Sequence, residues 1–563
     1  MAPSLVDFLC TSLAASVAGT REYRVHAVRS EPQRSHALFP HATNAKTAKV
    51  WHEELLVVLS EKRVVPAAHA TPASEGAPAV TNGAVEPVAD ASNASGSGAP
   101  AVAAPSTSAS TSSADEPAQT CHERFAPVVG IEASIYTIPS SSTSLLYISK
   151  VDTTGLSSGG PSPTRTLVSS FLAYHVLHPP HGTQRLRVHV FARAQGQYLF
   201  PGSVDNPGKR VLDDKGLIRW WKATIERAVA RDDVRARAAS TAGEEAKDAP
   251  LRLFYLVPGL SYLESLPYVP AAHASSSSSP PPPAWTYSHP YTSLSSPLHP
   301  PSAPSAHPLP DHIPSFPDDP KSRFLHSLTS STTSSSGTPG DYDDVYLSLR
   351  SATFSTGQTG AQRLADVERA VERERTRLLP AGGVPGGVDE FWERLAFRQE
   401  CCDGHLVAFF VVAAGEGAGE ERTTHPVAAS RRHALALRPA SYTKLWSQLH
   451  NYDYSLGALA RLADAVERWD DGVERAARAA RDEDAEAKGE GAAGEGGGEG
   501  EGEAEWRGAV ECELRRDVRV DNPHLVRVAG EKRGAEEGEG ASAGAAPKVN
   551  VLAPRKKKKV APA

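Results

Sequence analysis

The residues that could move a proton in this chain are carboxylates set beside turns and prolines. Asp152 follows a run of apolar and β-branched residues and opens an Asp-Thr-Thr-Gly turn. Such a turn exposes backbone N–H groups and one carboxylate at a strand end, and from the residues alone its plain role is to cap the turn. Asp318 and Asp319 stand in Phe-Pro-Asp-Asp-Pro at 316–320. Successive extended residues point oppositely, so these two carboxylates are not expected to aim at one point. Pro320 suits the first position of a helix, which makes Asp319 a good N-cap. A cap occupies one carboxylate oxygen and leaves the second for another role. Lys321 then places a cation in a first helical turn, against the macrodipole. A plain surface ion pair with Asp318 is the alternative reading of that lysine.

Other segments could bind rather than react. Arg165 opens a helix after a Gly-Pro-Ser run, so Ser162, Pro163, Thr164 and Arg165 can offer N–H donors and a cation to an anion. An ordinary loop is the alternative. RAQGQY at 193–198 has the form R-x-x-G-x, with Tyr198 where a widespread acyl-CoA signature places Gly or Ala; alone it is a weak signal. Trp221 shares an apolar helical face with Ile218 and Ile225, and Trp220 is offset by ~100°, so the two rings cannot bury in one direction. Two core aromatics, or one ring on a ligand and one walling a channel, fit the periodicity equally. The sequence holds no GxxxxGK, no HExxH and no Cys or His quartet at zinc spacing, so no metal is expected. Cys401 and Cys402 lack a nucleophile setting, and no covalent acyl-enzyme is expected.

These residues need a framework. Strands are predicted at 52–59, 131–138, 145–150, 186–192 and 405–413, and helices at 166–177, 216–230, 363–379, 389–400 and 455–477. Their alternation predicts an α/β domain with a central mixed sheet flanked by helices. Residues 68–127, 271–311 and 327–340 are dominated by small, polar and Pro residues, and 478–505 and 530–547 by Ala, Glu and Gly. Such segments cannot offset the entropy of ordering and are expected to be long disordered insertions. The expected organisation is one domain over 1–477, interrupted by the first three inserts. An acidic, Gly-rich segment over 478–563 follows, with a short ordered stretch near 506–529 and a basic tail. The excursion that ends near Trp285 and Tyr287 and leads into 315–328 can deliver a loop to a site.

Lys plus Arg number 59 against 66 Asp plus Glu, a net charge of −7, so sequence-specific nucleic-acid binding is not expected. Five cysteines without a CxxC pair argue for a reducing compartment. No apolar run approaches the ~20 residues of a membrane span, and no membrane partner is expected. Leu5, Leu9, Leu13 and Val17 mark an amphipathic helix rather than a signal peptide.

Four strings, in order, carry a resemblance: LYISKVDTTG at 146–155, QYLFPGS at 197–203 with LIRWWKATIERA at 217–228, FPDDPKSRFLHSL at 316–328, and FWERLAFRQE at 391–400. Together with SLVDFL at 4–9 and APRKKKK at 553–559, the chain resembles the fungal-specific histone H3 lysine acetyltransferase family. The resemblance implies a fold similar to animal coactivator-type histone acetyltransferases. It also implies acetyl-CoA as donor and histone H3, with H4, as acceptor, including lysine fifty-six. Histone chaperones of the nucleosome-assembly-protein and anti-silencing types would present the histone, in chromatin assembly, DNA damage response and transcription regulation. The catalytic set it implies is Asp319, Asp318, Asp152, Trp221 and Tyr198, with Asp319 as base, the three carboxylates forming an acidic mouth and Asp152 facing the acceptor lysine. Cofactor contacts are implied for Val151, Asp152, Thr153, Ser162, Pro163, Thr164, Arg165, Phe191, Gln195, Arg210, Val211, Leu212 and Trp220, and autoacetylation for Lys321. The sequence departs from the family at Gln195 and Arg210, where a small residue and a histidine are usual, and in the short 178–184 connection.

Five consecutive cations in 554–560 are expected to act as a nuclear localisation signal. The rival function is a non-catalytic acidic scaffold for histones, supported by 481–505, where ten acidic residues face two basic ones.

Overall fold

The computed structural model describes residues 3–42, 49–66, 121–241, 251–269, 283–299, 309–331, 388–396, 405–415, 435–487 and 506–525. A helix, α1 (Leu5–Ser16), opens the chain, with the Ser4 side chain accepting from the Asp7 N–H at 3.0 Å. Its Leu5, Leu9 and Leu13 are buried, as the amphipathic spacing predicts. Strands β1 (Gly19–Arg29), β2 (Gln33–Ser35), β3 (Val50–Pro66), β4 (Cys121–Ile138) and β5 (Thr143–Thr153) follow. Next come α2 (Thr164–Leu177), β6 (Arg185–Ala192), α3 (Asp214–Val229), α4 (Asp232–Thr241), β7 (Leu251–Leu256), the single turn α5 (Tyr262–Ser265) and β8 (Trp285–Tyr287). The remainder is α6 (Pro320–Ser331), α7 (Val388–Leu395), β9 (Ala408–Ala414), α8 (Pro439–His450), α9 (Leu459–Ala487) and β10 (Arg515–Asn522).

All ten strands join one mixed sheet in the order β10-β1-β3-β4-β5-β6-β9-β7-β8, with β2 on β3. Pairing is antiparallel except β5 with β6 and β7 with β8. The β5-α2-β6 unit, with its parallel pair, lies at the middle of the sheet. One face carries a core in which Val57, Ile131 and Ile148 meet Leu9 of α1, Phe171 of α2 and Ile218, Trp221 and Ile225 of α3. Leu56 and Val58 point to the opposite face and meet Leu445 of α8 and Val466 and Trp469 of α9. Alternation along β3 thus feeds two helical layers at once.

The predicted strands and helices are present where the structure describes them, with shifted ends; the helix expected at 363–379 lies outside the described residues. Three expected boundaries are corrected. The insert at 68–127 ends earlier, because β4 begins at Cys121 and pairs with β3 down to Pro66. The insert at 271–311 contains β8, which pairs with β7, and a wall in which Ser141 Oγ donates to the Pro297 carbonyl at 2.6 Å. The third insert begins inside α6, which runs to Ser331.

The expected domain end at 477 also falls. Helix α9 continues to Ala487, Trp506, Val510 and Leu514 enter the α8–α9 core, and β10 pairs with β1 from Gly19↔Asn522 to His26↔Arg515. Charge pairing explains why so polar a strand is stable there. Arg24 reaches Asp517 and Asp470, and Asp470 also accepts from Arg515 at 2.8 Å and lies 2.7 Å from His26 Nε2. Those partners outweigh the desolvation that burial imposes and hold the Asp470 carboxyl well below its ordinary range.

Candidate active site

The site begins where two paired strands part. Strands β5 and β6 pair in parallel from Thr143↔Arg185 to Ile148↔Val190, and β5 then runs on to Thr153 without β6. A bulge sits at the parting: pairing with β4 passes from Ala133↔Ile148 to Glu132↔Lys150 and skips Ser149. Glu132 secures it, accepting from Ser149 Oγ at 2.9 Å, Lys150 Nζ at 3.0 Å and Trp446 Nε1 at 2.7 Å. Lys150 and these donors hold its carboxyl below the ordinary range, against desolvation by burial.

The opening is a cleft of about 760 Å³, walled by the end of β5, the start of α2, the end of β6, the loop to 212 and α3. Every cofactor position implied by the resemblance is on its wall: Val151, Asp152, Thr153, Ser162, Pro163, Thr164, Arg165, Phe191, Gln195, Arg210, Val211, Leu212 and Trp220. Tyr198 and Trp221 are there too. Among the described residues the lining cations are Lys150, Arg165, Arg193, Lys209, Arg210 and Arg219, and the lining carboxylate is Asp152. A cleft of this sign and size suits an extended polyanion. At its edge α2 starts from Pro163, which offers no side-chain cap to the first-turn N–H groups.

Asp152 is not free to face an acceptor lysine, and the expected three-carboxylate mouth is corrected here. Its Oδ2 accepts from the backbone N–H groups of Tyr198, Leu199 and Phe200 at 2.7, 2.9 and 3.3 Å. Its Oδ1 accepts from Lys209 Nζ and the Thr153 N–H, both at 2.8 Å. The carboxylate ties the loop after β6 to the end of β5. Lys209 also donates to Ser203 Oγ at 2.7 Å. Gly155 lets this loop come close: at φ +72°, a Cβ there would lie 2.4 Å from the Lys209 nitrogen. Tyr198 donates its hydroxyl to the Arg193 carbonyl, and burial pushes that hydroxyl up to about 12. Trp221 is both core and cleft wall, edge-on to the half-buried Trp220 at 5.1 Å. The two alternatives for this pair therefore merge.

A second centre lies behind Phe191. That ring lines the cleft and stacks on Phe409 at 5.0 Å, and Lys321 Nζ sits 4.3 Å from the Phe409 centroid. Asp319 is 1% exposed. Its Oδ1 accepts from the Lys321 N–H at 2.9 Å, which caps α6, and its Oδ2 accepts from Lys321 Nζ. The alternative of a surface pair with Asp318 is not what the structure holds: Lys321 makes a buried pair with Asp319. Asp318 is exposed and left-handed at φ +60°, so the neighbouring carboxylates do diverge, although through a turn and not an extended run. Phe316 fixes this turn to the sheet by stacking on Tyr147 at 4.4 Å.

The residue types alone did not single out Lys209, Glu132, Tyr147 or His189. A histidine in the apolar alternation of β6 was the available signal. Burial drives His189 well below its ordinary pKa and so keeps it neutral, with Lys321 adding to the effect. Cys401 and Cys402 lie outside the described residues, and burial pushes the Cys10 thiol up to about 12, which removes nucleophilic character. No group of three or more metal-ligating side chains able to hold a metal occurs among the described residues.

A family model, the histone acetyltransferase KAT11-type domain, matches residues 161–471. The chain belongs to this family. A histone acetyltransferase rtt109 from Aspergillus flavus is 32% identical over 292 residues, covering 50% of this chain and 44% of that protein. One from Schizosaccharomyces pombe is 27% identical over 287 residues, covering 51% and 56%. The chain thus spans about half the length of the curated relatives it matches. The crystal structure of Rtt109 from Aspergillus fumigatus shares the fold, with a TM-score of 0.52 over 91% of this chain and 99% of that one at 20% identity. These likenesses agree with the resemblance carried by the four sequence strings. The KAT11-type match begins after β5, so the strands that build the near half of the cleft lie outside it.

Proposed function

We propose that this chain is a histone lysine acetyltransferase that uses acetyl-CoA and acts on histone H3, lysine fifty-six included, in the nucleus. The observation that carries this reading is the cationic cleft at the parted strands, linked through the stacked rings of Phe191 and Phe409 to a buried carboxylate–lysine pair. The exposed lining arginines Arg165, Arg193, Arg210 and Arg219 and the α2 N-terminus fit the phosphates of CoA, and the edge of β5 that β6 leaves open fits the amide-bearing arm that leads to the thioester.

A lysine amine attacks a thioester only when neutral. With a reference pKa near 10.4, about one in 2,500 is neutral at pH 7, a cost of about 4.6 kcal/mol. Packing of the amine against the aromatic wall of Trp221 and Tyr198 lowers that cost by desolvation, and Asp319 takes the proton. The amine nitrogen bonds to the acetyl carbon, the carbon–sulfur bond breaks, and CoA leaves as its thiol. Asp319 is tied to Lys321, so its second oxygen becomes available when Lys321 loses its charge. Autoacetylation of Lys321 accomplishes that. Peptide mass spectrometry of deacetylated enzyme incubated with acetyl-CoA is expected to find the mark on Lys321 and to lose it in Asp319→Asn. Acetylation at an equal rate in the variant would point to uncatalysed transfer.

The decisive experiment for the activity is transfer of labelled acetyl from acetyl-CoA to H3–H4 with a nucleosome-assembly-type or anti-silencing-type chaperone present. Incorporation into H3 supports the reading. None, in folded protein, favours the acidic scaffold, whose tract at 481–505 lies outside the described residues beyond 487. The basic segment 554–560 also lies outside them, and its role as an import signal stands on the sequence.

A further inference from the structure

Glu61 breaks a pattern. Leu55, Val57 and Leu59 alternate into the core beneath α1–α3, and the next residue in that stripe is a carboxylate that is 1% exposed. Burying a charge is costly without compensating donors. The strand neighbours do not supply its partners: Glu61 pairs with Tyr23 on β1 and, just past a register shift between Leu59 and Ser60, with Ala126 on β4. Its donors come from elsewhere. Oε2 accepts from Ser157 Oγ at 2.8 Å, and Oε1 accepts from the Ser158 N–H at 3.2 Å and from Ser158 Oγ. Arg21, 4.0 Å from Glu61, reaches the same segment: Nη1 donates to Ser157 Oγ and the Pro161 carbonyl, each at 3.4 Å, and Nη2 to the Gly159 carbonyl. Tyr23 steadies Arg21 by accepting from Nη1 at 3.0 Å.

The segment so held walls the cleft through Ser157, Gly159, Gly160 and Ser162 and runs directly into α2. It carries positive φ at Gly159 and Gly160. Glycine-rich backbone of this kind has many accessible conformations and must be fixed from outside to present its N–H groups in one arrangement.

We propose that Glu61 and Arg21 are positioning residues that clamp the 157–161 loop in the form that receives the nucleotide and pyrophosphate end of CoA. This rests on the acetyl-CoA reading of the cleft. The clamp lies on β1 and β3, away from the parted strands, so it acts on the anionic end of the ligand and not on the acetyl group.

The test compares acetyl-CoA with acetyl-pantetheine, which has the thioester arm but neither pyrophosphate nor nucleotide. In full-length Glu61→Gln, KM and the calorimetric Kd for acetyl-CoA are expected to rise about tenfold, with kcat on H3 within about twofold and kcat/KM for acetyl-pantetheine unchanged. Ser158→Ala, on an exposed residue that cannot unfold the sheet, is expected to move KM in the same direction by about threefold. Equal losses with both donors would mean general damage and overturn the proposal, as would wild-type affinity in both variants. A wild-type protein that takes up no acetyl-CoA would overturn the reading of the cleft, and the clamp with it; wild-type uptake with an indifferent Glu61→Gln overturns the clamp alone.

Discussion

The cleft and the Asp319 centre stand on either side of Phe191, and they are built on opposite principles. The cleft is open, and most of its cations reach solvent: Arg165, Arg193, Arg210 and Arg219 are exposed. A soluble polyanion can enter it with little rearrangement. The Asp319 centre is closed, with the carboxylate and Lys321 at 1% and 3% exposure, each the other's ion partner. A site of the first kind binds as it stands. One of the second kind must exchange an internal partner before it can act on an external amine. The proposed division of labour follows: donor binding is preformed, and acceptor chemistry waits on Lys321.

The sharpest way to break this contrast is Asp319→Asn. Asparagine caps a helix as well as aspartate, so α6 is expected to stay folded while the proton acceptor is lost. Turnover on H3 is expected to fall by about 10²- to 10³-fold with the calorimetric Kd for acetyl-CoA unchanged, and Asp318→Asn to cost much less. Full turnover in folded Asp319→Asn would leave the residue with its cap role alone.

Asp152→Asn probes the other side. It leaves Lys209 buried without its charge partner and sets an amide against three backbone N–H groups, which is expected to cost about 3 kcal/mol. Urea denaturation should register that loss, and calorimetry should show weaker acetyl-CoA binding, because the 198–209 loop walls the cleft. Unchanged stability with lost turnover would instead return Asp152 to the chemistry.

The mildest test uses acid. His41 is buried, neither ring nitrogen has a hydrogen-bond partner among the described residues, and its ring lies 5.6 Å from His326 of α6. Burial, helped by His326, lowers it to about 3. A histidine with a depressed folded pKa supports stability fully above its unfolded value near 6.5, and that support is lost as pH falls from there toward 3. The loss by pH 5 is expected to be about 2 kcal/mol. His175 and His189 are also lowered by burial, so His41→Phe should reduce but not abolish the slope of Tm below pH 6.5. An unaltered slope would show that His41 titrates normally.

Much of this was legible in the chain. The apolar runs of β3, β4, β5, β6 and β9 are buried on both faces of the sheet and read as strands without help. β1 and β10 did not read so, because Arg21, Arg24, Arg515, Arg516 and Asp517 look like a solvated segment until the two strands meet and their charges pair. β8 is three residues long and gains its identity only by pairing with β7. At the site, the short strings marked the cleft wall, since the turn after β5, the start of α2 and the loop after β6 are each local features. The role of Asp152 was not local: its partners are Tyr198, Leu199, Phe200 and Lys209, some fifty positions away, and the turn containing it gives no sign of them.

The sequence by itself determined the apolar alternation that makes a mixed α/β core and the cap geometry that separates Asp318 from Asp319. It also determined the family to which the chain belongs. Those properties depend on side-chain type and on neighbours within a few residues. Only the tertiary structure decided that Lys321 pairs with Asp319, that Asp152 is spent on a loop, that Glu61 reaches 157–158, and that residues 506–525 complete the sheet. Each of these depends on which distant donor lies near a buried charge, and the energy of a buried charge is set by the partners that surround it and not by its place in the chain.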